Sequence, residues 1–111
     1  MASRCCRSGY PEEACRVLET LLRGYRGYFS HGVLNSDGRR LFERMARLLL
    51  EANPSLRRLV YRVRRDPTVE MVLRLAEEFY NCNAWLIVAE SLGLHQPYVY
   101  RVPTAAGDQY Y

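Results

Sequence analysis

The chain of 111 residues contains no lysine: all 16 of its basic side chains are arginine. Set against 12 acids, they leave a formal net charge of +4 and a pI near 9.0. The planar guanidinium pairs bidentately with phosphate and guanine, so the bias suits a polyanionic partner. GC-rich codon usage produces the same bias, and the charge permits nucleic-acid binding without requiring it. No apolar run approaches the ~20 residues of a membrane span. The first residues, MASRCCRSGYPEEAC, have basic groups but no apolar stretch or small-residue cleavage site behind them, so a secretion signal is not expected and the chain reads as intracellular. There is no phosphate-cradling glycine loop, no HExxH and no GxSxG. The two histidines, His31 and His95, suggest no triad, so neither an enzyme nor a cofactor is expected. The paired acids Glu12-Glu13 and Glu77-Glu78 fall on helices, where solvation or helix-end electrostatics accounts for them.

Cysteine is scarce and irregular. Cys5, Cys6, Cys15 and Cys82 have no paired CxxC spacing, which argues against a metal site. Free thiols are the expectation in a reducing compartment, while the adjacent Cys5-Cys6 pair near a terminus is also placed to bridge two chains. No strand pattern of useful length and no internal repeat occurs. With 49% hydrophobic and 25% charged residues the composition is globular, and the length is that of a single domain, 1–111.

What is present is helical periodicity. Pro11-Glu12-Glu13 has the chemistry of a first turn, and Ala14, Leu18, Leu21, Leu22, Tyr25 and Phe29 recur at 3.6-residue spacing, which predicts an amphipathic helix to about 30–32. The connector GVLNSDG supplies turn residues, and Ser36 or Asp37 can cap a second helix over 38–52 with Leu41, Met45, Leu48, Leu49 and Ala52 inward. Arg39, Arg40, Arg44 and Arg47 fall on its solvated side, with phosphate contact a secondary role. Asn53-Pro54 breaks the pattern. A third helix over 55–65 turns Leu56, Leu59, Val60 and Val63 inward and Arg57, Arg58, Arg62, Arg64 and Arg65 outward, the densest basic run in the chain. Asp66-Pro67 starts a fourth, with Val69, Val72, Leu73, Ala76 and Phe79 as its stripe. The expected fold is all-α, a compact helical domain of five to six helices.

The stretch 84–103, AWLIVAESLGLHQPYVYRVP, carries a set of spacing constraints. Val88, Leu92, Leu94, Val99 and Val102 are apolar where two crossed helices share a core, Ala89 is small where they approach, and Gly93 suits a left-handed turn. Gln96-Pro97 then begins a new helix. The pattern resembles the helix-turn-helix of repressor and Cro-type DNA-binding proteins, whose second helix enters the major groove. Pro103 stops that helix at about two turns, earlier than the motif often does. The same apolar pattern would also serve a buried helix hairpin with a glycine corner. The resemblance implies a transcriptional regulator bound to double-stranded DNA, with Gln96, Tyr100 and Arg101 at the base edges and His95 and Tyr98 nearer the backbone. It also implies a helix-turn-helix unit over 67–103, and helices over 11–65 that support it or form a homodimer. The tail 104–111 is expected to be disordered, with too few residues for a wing.

A second likeness comes from a different class. Glu78-Phe79-Tyr80-Asn81-Cys82-Asn83-Ala84-Trp85 is similar to the ELFxDGxxNWGR signature of the Bcl-2 family, and LETLLRGYRGYF at 18–29 is similar to the first helix of its divergent and viral members. Residues 41–49 would then play the BH3-like helix. This likeness implies a protein-interaction module that modulates cell death by binding an amphipathic helical peptide of the BH3 type. Leu86-Ile87 stand where that family has Gly-Arg, which removes the arginine that would pair with a BH3 aspartate, and the chain lacks the closing BH2 helices.

Overall fold

A computed structural model describes residues 4–93. Among them are six α-helices, a 3-10 turn and one two-stranded hairpin, so the fold is mostly helical, with a small sheet of two-residue strands that the all-α expectation did not include.

Helix α1 (Glu12–Arg23) begins at Pro11, with Glu12 and Glu13 in the first turn, where proline's fixed φ and the helix dipole favour them. Ala14, Val17, Leu18, Leu21 and Leu22 are buried along one face. The expected continuation stops at Gly24. A single turn, α2 (Tyr25–Tyr28), leads into β1 (Phe29–Ser30), which pairs antiparallel with β2 (Val33–Leu34). The connecting His31 and Gly32 both have positive φ, 53° and 80°, the two-residue turn whose twist matches that of paired strands. Tyr25 and Phe29, whose spacing reads as helical, stack their rings at 4.8 Å across the junction.

Helix α3 (Ser36–Ala52) is capped by Asn35, one residue before the expected site; its side chain accepts from the Gly38 N–H at 2.8 Å. Its buried face is Phe42, Met45, Ala46 and Leu49, while Leu41 and Leu48 are half-buried and Ala52 is exposed, so the stripe is rotated from the expected one. This face packs chiefly on α1, and Arg44 on its border pairs with Glu13.

A 3-10 turn (Pro54–Leu56), capped by Asn53, feeds α4 (Arg57–Arg65), which buries Val60 and Val63 against α5 (Val69–Phe79). Thr68, rather than Asp66, caps α5, because residues 67–69 are drawn into extended pairing with the hairpin. Leu34 N–H donates to Pro67 O and Val69 N–H to Gly32 O, both at 2.9 Å. On α5, Leu75 is buried in the core and Leu73 is half-buried.

The far end of α5 is held in the same way. Arg7 N–H donates to Phe79 O at 2.9 Å, Asn81 N–H donates to Cys5 O at 2.6 Å, and Cys6 forms a β-bridge with Tyr80. Successive side chains of an extended segment point to opposite sides. Cys5 accordingly bonds to Cys82 and Cys6 to Cys15, with Cα separations of 5.0 and 5.8 Å, inside the span a disulfide requires. Free thiols, or a bridge between chains, are therefore not what the cysteines form. Helix α6 (Ala84–Ser91) follows Cys82 and packs mainly on α1, burying Ala84, Val88 and Ala89.

Candidate polyanion interface

The five side chains expected to read DNA, His95, Gln96, Tyr98, Tyr100 and Arg101, lie outside the described residues, as do the second helix of the motif and the tail. Within them, Val88 and Ala89 of α6 are buried, and Gly93, which follows this helix, has φ 75° in the left-handed region.

The densest array of charge is on α4. Arg57, Arg58, Arg62, Arg64 and Arg65 are all exposed, as expected from the sequence, and the helix has no acid. Arg62, Arg64 and Arg65 lie in the last turn, where the helix dipole favours cations. Arg57 and Arg58 are near the opposite end, where it disfavours them, and Arg58 and Arg62 form a like-charge i,i+4 pair. Helix electrostatics give no reason for Arg57 and Arg58. Arg64 has a local partner: its Nε and a terminal nitrogen donate to the two carboxylate oxygens of Glu43 at 2.9 and 2.8 Å, and these bonds hold its proton more tightly than usual. The pair ties α4 to α3. It is an exposed ion pair and stabilises the fold by no more than about 1 kcal/mol.

Two open depressions flank this helix. One, of about 1020 Å³, is lined by Ser55, Arg57, Arg58, Tyr61, Arg62 and Arg64 and by the acid Glu78 of α5. The other, of about 550 Å³, is lined by Tyr61, Arg62, Arg65, Asp66, Met71 and Arg74. Tyr61 and Arg62 stand on the rim common to both. Tyr61 is 56% exposed, and the Arg65 guanidinium carbon lies 5.8 Å from its ring centroid, within cation–π range. Sequence reasoning marked the five arginines and missed Tyr61 and Arg74; an aromatic set among arginines on one helix was the available signal.

Elsewhere, Trp85 and Leu86 of α6 are 48% and 55% exposed. Trp85 lines a groove of about 310 Å³ with Leu73, Ala76, Glu77 and Tyr80 of the α5 region. The buried Tyr80 hydroxyl donates to Glu19 at 2.6 Å; burial first, then that bond, push its pKa well above the usual tyrosine value. Among the described residues no cluster of three or more His, Cys, Asp or Glu could hold a metal ion, and no helix is long and apolar enough to cross a membrane. No family model, curated protein or solved structure matches the chain.

Proposed function

We propose that the chain binds nucleic acid and that the arginine face of α4 contacts the sugar-phosphate backbone. The observation that carries this reading is the placement of Arg57, Arg58, Arg62 and Arg65 on one acid-free helix, two of them where the helix dipole opposes a cation. Guanidinium groups so arranged release condensed counterions when they meet phosphates, which makes affinity fall steeply with salt. The finer reading is sequence-specific binding of double-stranded DNA by a transcriptional regulator, with residues 96–102 as the reading helix and Arg101 at a base edge; the burial of Ala89 and the turn at Gly93 support it. The rival, an interaction module for a BH3-type helical peptide, draws on the half-exposed Trp85 beside its groove. The intracellular setting was expected from the lack of a secretion signal in the first residues; the two disulfides suit oxidising surroundings instead.

The test is titration of the oxidised protein with labelled nucleic acid between about 50 and about 200 mM salt. Binding with a steep salt slope is expected. Arg57→Ala with Arg58→Ala should make the slope shallower by roughly one unit for each phosphate that is no longer neutralised. Salt-independent binding, or no binding to nucleic acid together with capture of an amphipathic helical peptide, would transfer the case to the rival.

A further inference from the structure

Backbone contact through α4 explains its arginines and leaves Tyr61 unexplained. On a helix surface a residue's neighbours are those three and four positions away. For Tyr61 these are Arg57, Arg58, Arg64 and Arg65, so all four are arginine. With 56% of its surface exposed, the ring adds little to the core. Arg65 lies over the ring, and Arg64 is drawn aside to Glu43. The two depressions, about 1020 and 550 Å³, both have Tyr61 in their lining and leave room beside its ring.

We infer that this face takes single-stranded nucleic acid, with Tyr61 stacking on an unpaired base while Arg57, Arg58, Arg62 and Arg65 hold the phosphates around it. The inference rests on the reading of α4 as a backbone contact and names the strand state that contact selects, a single strand, in place of the double-stranded target of the helix-turn-helix reading. Inside a duplex each base face is covered by its neighbours and only edges are offered in the grooves. For an exposed aromatic ring among cations, a base to stack on is offered where that base is unpaired, which is how single-strand-binding surfaces combine stacking platforms with basic grooves. From Arg57 to Arg65 the helix rises about 12 Å, enough to span more than one phosphate. Arg65 over the ring adds a cation–π contact that a stacked base can share.

Three probes separate stacking from charge: a mixed-sequence single strand, a blunt duplex matched to it in phosphate number, and inorganic polyphosphate, which has no bases. Each is titrated against the full-length oxidised protein, Tyr61→Ala, Tyr61→Phe and the Arg57→Ala, Arg58→Ala double variant. The unmodified protein is expected to prefer the single strand to the duplex. Tyr61→Ala should weaken single-strand binding about tenfold or more and leave polyphosphate binding unchanged, and Tyr61→Phe should keep both. The double variant should weaken all three probes. Equal affinity for single strand and duplex, or a Tyr61→Ala loss that is the same for polyphosphate or absent, overturns the stacking inference while the backbone reading stands. A double variant that binds every probe like the unmodified protein removes the backbone reading and the inference with it.

Discussion

The C-terminal end of α5 and the neighbouring helix α4 are held in the fold by different means. Around that end of α5, the segment 5–7 is bonded to 79–81 through backbone pairs, Cys5–Cys82 and Cys6–Cys15 cross-link it covalently, and Tyr10 packs its ring against Phe79 at 6.0 Å. The Tyr10 hydroxyl also accepts from the Asn53 side chain at 2.9 Å. Helix α4 docks through Val60 and Val63, has one ion pair to α3, and carries a row of arginines that repel one another. One region accumulates covalent and backbone constraints. The other keeps Arg57 and Arg58 at the end of α4 where the helix dipole opposes a cation.

The largest effect expected from this contrast is on the cross-linked side. Replacing Cys5 and Cys82 together by serine opens a bridge between residues 77 apart in sequence. In the chain-entropy account this should lower unfolding stability by about 2–5 kcal/mol, measured by denaturant titration without reductant. Salt-dependent binding through α4 should survive wherever the variant remains folded. A loss near zero would mean that the backbone pairs at 79–81 suffice and the contrast is overstated.

A smaller, pH-dependent effect belongs to Tyr80. Its folded-state pKa is raised by burial and by the bond to Glu19. The folded protein therefore keeps this proton at a pH where the unfolded chain has lost it. The associated stability is complete below the ordinary tyrosine value near 10 and declines as pH rises beyond it, with a slope of up to about 1.4 kcal/mol per pH unit. Thermal unfolding from neutral to strongly alkaline pH should show this slope in the unmodified protein and a weaker one in Tyr80→Phe. Equal slopes would mean that other groups govern alkaline unfolding.

The smallest effect has the opposite sign. Arg57→Ala with Arg58→Ala should raise stability by a few tenths of a kcal/mol, since alanine favours the helix and both the dipole and like-charge terms are relieved. The same variant loses affinity for polyanions, so stability and binding move in opposite directions. A drop in melting temperature would instead assign these arginines to the fold.

Much of the helical framework was legible because its signals are local. Pro11 with two acids, Asn53-Pro54 and the 3.6-residue spacing of apolar side chains act within one turn, and α1, α4, α5 and α6 begin within about two residues of where they point. Features set by distant chain were not. The 29–34 hairpin has strands of two residues, too short to show alternation, and its partner is the far-off Pro67. That pairing also moves the α5 cap from Asp66 to Thr68. Cysteine connectivity is a tertiary fact, and spacing alone could not tell Cys5–Cys82 from free thiols. At the site, the arginine run could be read by eye. Tyr61 was passed over: it stands outside the inward stripe of Leu56, Leu59, Val60 and Val63, and only the charges around it were read; its 56% exposure sets it among them.

Because Cys5 and Cys6 are adjacent and bonded to Cys82 and Cys15, residues 5–82 form a closed covalent ring with a smaller one, 6–15, fused to it. Tension applied at Cys5 and Cys82 passes through the sulfur bridge instead of through α1, α3, α4 and α5, which lie inside the larger ring. A protease that cuts once near 53–56 or 66–68 opens the ring without separating the pieces. The nicked chain should run at full mass on a non-reducing gel and split into two fragments only after a reductant is added.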